Sequence, residues 1–393
     1  AVRARNAGVF FATCYNKERT DQLKSLRGRT LKLGLSGGGD IVVEEAETSG
    51  GISPSQPRSF REAVVRPQFT TYAVSMDEFT EKNVGGKSNH LRLLRGRLPE
   101  WIGLPDSVAL PFGIFDEILS RRENRDCAVR IAELLQAVQG EEDPQKTREL
   151  LALIRKAILD MKAPVELAAS VYSVMDGSGI LRPPAWKDAW NCIKLVWASK
   201  WNERAYQSRL ANGITHENLY MAVLIQKVVE ADYSFVIHTV NPLSAAKDEI
   251  YAEAVLGLGE TLVGNYPGKA LSFTFKKTGG SPYILSFPSK SEGLYGGGLI
   301  FRSDSSGEDL AGFAGAGLYD SFLLDPPKKV ILDYTKDRLL WDDAFMKDFL
   351  SRIGGIGTEV ERALGSPQDI EGAYSKGRFY VVQSRPQVGS GIA

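Results

Sequence analysis

QDIEGAYSKGRFYVVQSRP, residues 368–386, decides how the chain is read. Two short apolar segments flank a Ser-Lys-Gly-Arg turn, so the stretch predicts a β-hairpin. Yet Asp369 and Glu371 punctuate its first strand, and Gln383 and Arg385 its second. Residues two apart on a strand share a face, which groups Asp369 with Glu371 and Gln383 with Arg385. Turn length decides whether the two pairs meet. A two-residue Lys376-Gly377 turn sets Glu371 opposite Val382 and sends Gln383 to the other face. An odd turn, Lys376 to Arg378, sets Glu371 opposite Gln383 and Asp369 opposite Arg385. The odd turn is expected here. Carboxylate and amide oxygens on one face make a hard-oxygen site for Mg²⁺, with Arg385 beside it for phosphate oxygens. The plain alternative is an Asp369–Arg385 surface pair, worth at most about 1 kcal/mol.

The rest of the chain is long enough, at 393 residues, for one large core or two modest ones. With 43% apolar and 24% charged residues it has a globular composition rather than a disordered one. Its 48 basic and 48 acidic residues cancel, which argues against a nucleic-acid binder or a polybasic membrane protein. The best apolar run, LYMAVLIQKVV, is interrupted by Gln226 and Lys227 and falls short of a membrane span. Cys14, Cys127 and Cys192 form no CxxC. His90, His216 and His238 have no metal-ligand spacing, so neither a zinc site nor a disulfide scaffold is expected. The opening AVRARN, without an initiator Met or a signal peptide, reads as a processed product, a truncation or a recombinant fragment.

Along the chain, residues 1–46 read as short strands and turns: VFFATC, RTLKLGL, the loop SGGGD, then IVVEE. ETSGGISPSQP reads as a linker, and a second unit starts near Phe69. There a Gly-Gly turn in NVGGKSNHLRLLRGRLP leads into an amphipathic helix. From about 115 to 211 the pattern is helical, and Trp186, Trp190, Trp197 and Trp201 recur at helical spacing. That stripe is expected to be core rather than a sugar platform. Strands dominate from Leu219 to Tyr334, one helix covers about 342–364, and the hairpin closes the chain. The order implies an α+β fold.

Two further stretches carry candidate chemistry. VGGKSN lacks the first glycine of a Walker A loop, because Glu81 stands at that position. Its Gly-Gly amides can still approach phosphate, with Lys87 as a point charge; a lysine on a solvated helix face is the alternative. IFRSDSSGEDLAGFAGAGLYDS, residues 300–321, sets Arg302 at a strand end before a run of glycines and alanines. Flexible backbone beside a fixed Arg suits phosphate binding, and a long surface loop is the alternative. Gln226, inside an apolar strand, needs a partner, since burying it unpaired costs on the order of 1–3 kcal/mol. A ligand or a backbone carbonyl would serve.

Taken together, VGGKSN, FRSDSSGEDLAGFAGAG and DIEG…YVVQSRP resemble the nucleotide-binding domain of the dikinase family, which includes pyruvate phosphate dikinase and phosphoenolpyruvate synthase. VWASKWNERAY, ADYSFVIHTVNP, IYAEAVLGLGETLVGNYPG and GSPQDIEG are similar to its α-glucan, water dikinase branch. The resemblance implies an ATP-grasp-like two-lobed nucleotide-binding domain over 69–393, with a helical insertion at about 115–211. Before it would come a linker over 47–68 and a small β-rich remnant of a phosphohistidine (swivelling) domain over 1–46. It implies that Lys87, Arg302 and Arg385 contact ATP phosphates and act in catalysis. Gln226 and Gln383 would lie in the nucleotide site, and Gly315 and Gly317 in the phosphate-facing loop. Mg²⁺ would be held by Glu371 and Gln383, with Asp369 supporting them.

The implied reaction takes ATP, α-glucan and water to AMP, phosphoglucan and orthophosphate, by way of a phosphohistidine just upstream of Ala1 or in another chain. Starch in a plastid is the implied setting, and a homodimer is compatible with it. Phosphoglucan, water dikinase and a non-catalytic glucan-associated protein that keeps the fold are the rival readings. Phe10 stands where the family carries the first cysteine of a redox pair, so Cys14 is left alone at that site.

Overall fold

A computed structural model describes residue 14 and residues 16–35, 41–46, 67–264, 266–307 and 317–387. The VFFAT stretch with Phe10, the SGGGD loop, most of the expected linker and Gly315 lie outside these residues.

The N-terminal part holds helix α1 (Lys17–Ser25) and an antiparallel pair, β1 (Leu31–Leu35) with β2 (Ile41–Glu45). The helix corrects the strand-and-turn reading of this part. Asn16 caps it, its side-chain oxygen accepting from the Arg19 amide at 2.9 Å, and KERTDQLKS is rich in good helix formers.

The remaining elements begin with β3 (Val74–Ser75), α2 (Gly86–Leu94), β4 (Ile102–Gly103) and β5 (Ser107–Leu110). Helices α3 (Ile114–Ser120), α4 (Arg125–Val138), α5 (Pro144–Leu159), α6 (Val165–Gly177), α7 (Trp186–Ser199) and α8 (Glu203–Ala211) follow. Next come β6 (Met221–Lys227), β7 (Tyr233–His238), β8 (Glu249–Leu256), α9 (Glu260–Val263), β9 (Leu271–Lys276) and β10 (Tyr283–Ser286). The chain continues through β11 (Glu292–Tyr295), β12 (Leu299–Ser305), β13 (Ser321–Leu323), β14 (Lys328–Ile331), α10 (Arg338–Trp341) and α11 (Asp343–Leu364). The hairpin is β15 (Gln368–Ser375) and β16 (Arg378–Pro386). The fold is thus a mixed one of helices and several sheets. No helix among the described residues is long and apolar enough to cross a membrane.

Two large sheets position the site. A five-stranded antiparallel sheet runs in the order β13-β12-β6-β5-β3, and a seven-stranded sheet in the order β10-β9-β8-β7-β15-β16-β4. One face of the first, with Val108, Val223, Ile225 and Phe301, is buried against helices α4–α8. Trp190, Trp197 and Trp201 lie in that core, Trp197 edge-on to both Trp190 and Phe115, as their helical spacing suggests. One face of the second sheet, with Phe235, Ile237, Ile250, Phe273 and Ile370, packs on α11. Gly354 and Gly357 of α11 permit that approach, because a Cβ at Gly354 would lie 2.3 Å from the Phe275 ring. The opposite faces of both sheets carry the polar residues, and α2 lies against β12 and β16.

Candidate functional site

The hairpin pairs as expected but by a different turn. Ser375 faces Arg378, so Lys376-Gly377 is a two-residue turn, with φ of 49° and 86° as such left-handed turns require. A β-bulge between Glu371 and Gly372 then leaves Val382 as the extra residue. Below the bulge Phe379 and Val381 face the α11 core; above it the parity switches, and Gln383 falls opposite Glu371 and Arg385 opposite Asp369. The odd-turn expectation is therefore corrected: the bulge does what the turn was expected to do. Gly372 is required at this point because a Cβ there would lie 2.1 Å from the Phe235 ring.

The bulge also bears on the contact between the sheets. The Val382 carbonyl accepts from Gln226 Nε2 at 3.2 Å and from Arg302 Nη1 at 3.4 Å. Gln226, 2% exposed on β6, also donates to Ser107 Oγ at 3.4 Å and accepts from Arg302 Nη1 at 3.2 Å. Its partners are thus a carbonyl, a hydroxyl and a guanidinium. Arg302 Nη2 donates to Gln383 Oε1 at 2.6 Å and to Glu371 Oε2 at 3.1 Å. Its Nε is buried without a hydrogen-bond partner. Arg302 of one sheet thus binds both oxygens proposed as hard ligands on the other.

A second row lies one step along the hairpin. His238 on β7, Asp369 on β15 and Arg385 on β16 are cross-strand neighbours. Asp369 Oδ1 lies 2.7 Å from His238 Nδ1, and its Oδ2 accepts from Arg385 at 3.2 Å. With Asp369 only 7% exposed, this pair is not the surface bridge of the plain alternative.

Lys87 is buried rather than on a solvated face, and its ammonium donates to the Ser303 carbonyl at 2.7 Å. The Gly-Gly turn has a use that its sequence does not reveal. Amides of Gly85 and Lys87 donate to the Asp304 carboxylate at 2.9 and 3.0 Å, which seats the N-terminus of α2 on β12. A Cβ at Gly85 would lie 2.4 Å from Asp304 Oδ1. The Gly85 and Lys87 amides serve that joint. Gly317, with φ of +71°, is exposed and touches none of the cluster.

Sequence reading missed His238, Asp304, Ser107, Tyr251 and Glu253. Strand alternation held part of the signal: Asp304 is two residues from Arg302, and Tyr251 and Glu253 share a face of β8. Tyr251 pairs with His238 across strands and donates to Glu253 at 2.7 Å. Burial, then the Glu253 carboxylate, pushes the Tyr251 hydroxyl pKa well above its ordinary value.

The donor set suits Mg²⁺, which takes oxygen ligands and keeps several waters, so one or two protein oxygens suffice. Glu371 and Gln383 bring two oxygens within reach of a single cation, as their shared contact with Arg302 Nη2 demonstrates. Asp369, with one oxygen on His238 and the other on Arg385, stands behind them. Among the described residues no group of three or more His, Cys, Asp or Glu is arranged to hold a metal. A cavity of about 720 Å³ that Ser107 helps to line is not lined by Arg302, Glu371 or Gln383.

The pyruvate phosphate dikinase AMP/ATP-binding domain family matches residues 180–270, which include Gln226. The alpha-glucan water dikinase phosphohistidine-like domain matches residues 1–51. The chain is 47% identical to the chloroplastic alpha-glucan water dikinase of Citrus reticulata, over 99% of this chain and 27% of that protein. It is 45% identical to chloroplastic alpha-glucan water dikinase 1 of Arabidopsis thaliana, over 99% of this chain and 28% of that protein. A probable phosphoenolpyruvate synthase of Methanocaldococcus jannaschii is 30% identical over 51% of this chain and 15% of its own length. Over 99% of its length the chain matches one stretch of an alpha-glucan water dikinase, and it spans little more than a quarter of the length of the two plant relatives.

Proposed function

We propose that the cluster between the sheets binds Mg²⁺-ATP and performs the nucleotide half of an α-glucan, water dikinase reaction. The observation that carries this reading is the meeting of Arg302 and Gln226 with Glu371 and Gln383, a guanidinium, an amide and hard oxygens drawn from two sheets. In this reading the fold is ATP-grasp-like, with the two sheets as lobes and residues 115–211 as a helical insertion. Residues 69–393 form the nucleotide domain, 47–68 a linker, and 1–46 part of a phosphohistidine domain.

Arg302 neutralises Glu371 in the ligand-free fold and turns to phosphate oxygens when nucleotide enters, which frees Glu371 and Gln383 for the cation. Lys87 and Arg385 serve as hydrogen-bond donors to the phosphates, Gln226 lines the pocket, and Gly315 and Gly317 would belong to the phosphate-facing loop. The bound Mg²⁺ supplies charge neutralisation at the phosphates. Fixed cations aimed at a developing charge are worth roughly a hundred- to a thousandfold each in rate. The acceptor histidine belongs to a segment upstream or to another chain. The final acceptor is starch or another α-glucan, and the setting is a plastid, as the names of the relatives suggest.

Calorimetric titration with Mg²⁺-ATP tests the reading. Saturable binding, weakened at least tenfold by Glu371→Ala, is expected. No binding, or binding indifferent to that substitution, overturns it.

A further inference from the structure

A cavity of about 370 Å³ lies away from the cluster, between α3, α4, the end of α7 and the stretch that leads into β6. Its walls are apolar, with Leu119, Ile131, Leu135 and Trp197 among them, and its polar end includes Lys200 and His216.

Lys200 is the cation of that end, and Arg209 lies beyond His216. Lys200 Nζ donates to the carbonyls of His216 and Leu219 at 2.9 and 2.7 Å, which uses two of its three donors. Arg209 Nε donates to His216 Nδ1 at 3.1 Å, so the neutral imidazole carries its proton on Nε2 and is itself a donor there. Arg209 is fully buried, lies beside the Tyr319 hydroxyl and does not itself line the cavity. Lys200 and Arg209 each lie 5.4 Å from the Trp201 ring centroid. Among the described residues neither forms an ion pair, although Asp116 lines the cavity and Glu217 lies at its exposed rim.

The Lys200 ammonium on the wall, with one donor left over and the always-charged Arg209 guanidinium beyond His216, favours an anion. The apolar walls favour a hydrocarbon body. We propose that this cavity binds a small amphiphilic anion, a hydrocarbon chain or ring ending in a carboxylate, with the carboxylate at Lys200. Burial, then Arg209, pushes the Lys200 pKa down to about 7, and a neighbouring anion would restore its charge. Because Tyr220 and Met221 also line the cavity, an occupant bridges the helices to the strand that carries Gln226.

Octanoate and octanol, which differ in charge at one end of the same chain, are the probes, and the fluorescence of Trp197 and Trp201 is the readout. Saturable quenching by octanoate, at least tenfold tighter than by octanol, is expected on the unmodified chain. Lys200→Met should remove that preference, and Leu135→Trp, which fills the cavity, should abolish both signals in a chain with unchanged circular dichroism. Equal affinity for the two probes, no saturable quenching, or octanoate binding untouched by Leu135→Trp overturns the proposal. The comparison of probes on the unmodified chain decides even if a variant fails to fold.

Discussion

Gln383 Oε1 lies 2.6 Å from Arg302 Nη2, although the two residues sit on different sheets and are 81 positions apart. The contact exists because Val382 is an extra residue that turns Gln383 away from the apolar face. With Glu371 on the same Nη2, one guanidinium ties the hairpin to β12.

Replacing Arg302 by Ala should therefore weaken nucleotide binding. Glu371 loses its cation, and Gln226 and Gln383 each lose a hydrogen bond, so Mg²⁺-ATP affinity in calorimetry should fall at least tenfold. Arg302→Lys should recover only part of it, because a single ammonium cannot reproduce the fork that reaches four acceptors. Full recovery by Lys would mean that charge alone matters at this position.

The bulge offers a sharper test. Gly372→Ala places a methyl 2.1–2.2 Å from the Phe235 ring, in a core that cannot yield easily. Overpacking of this kind costs roughly 1–3 kcal/mol. The urea midpoint should fall accordingly, and Phe235→Leu in the same chain should restore part of it. If the double variant is no more stable than Gly372→Ala alone, the ring is not what demands glycine.

Asp304 should prove structural rather than catalytic. Asp304→Asn keeps one acceptor for the amides of Gly85 and Lys87 but loses the negative charge at the start of α2. A loss of about 1–2 kcal/mol in stability is expected. Nucleotide affinity should change little at saturating stability, checked by titration well below the melting temperature.

These relationships mark how far sequence alone reaches. Alternation on the hairpin was enough to group Asp369, Glu371, Gln383 and Arg385, because side-chain parity is local. The bulge was not legible. It depends on the Phe235 ring over Gly372 and on acceptance at the Val382 carbonyl, neither of which is local to the hairpin. A solvated Lys87 stayed open as an alternative for the same reason: the carboxylate that organises its turn, Asp304, is 217 residues away. His238 gave no signal because a lone histidine in an apolar strand has no spacing to interpret. The long strands and α11 were legible, since their apolar patterns run for most of their length, whereas β4 and β5 are short and were missed.

The last prediction concerns pH. Burial, then Arg209 and Lys200, lowers the His216 pKa from 6.5 to about 4. Arg209 Nε occupies the Nδ1 lone pair that a proton would need, so protonation breaks that bond and sets a third cation beside two others. Between pH 6.5 and about 4 the unfolded chain binds a proton at this residue and the folded chain does not. Stability from His216 is thus fully present above pH 6.5 and is lost as pH falls through about 4. His216→Gln keeps an acceptor for Arg209 but cannot titrate. The urea midpoint of the parent chain should drop more steeply than that of the variant across this window, with the gap closing or reversing towards pH 4. Because the carboxylates titrate alike in both chains, the difference between the two curves isolates the imidazole, and parallel curves would remove His216 from the account.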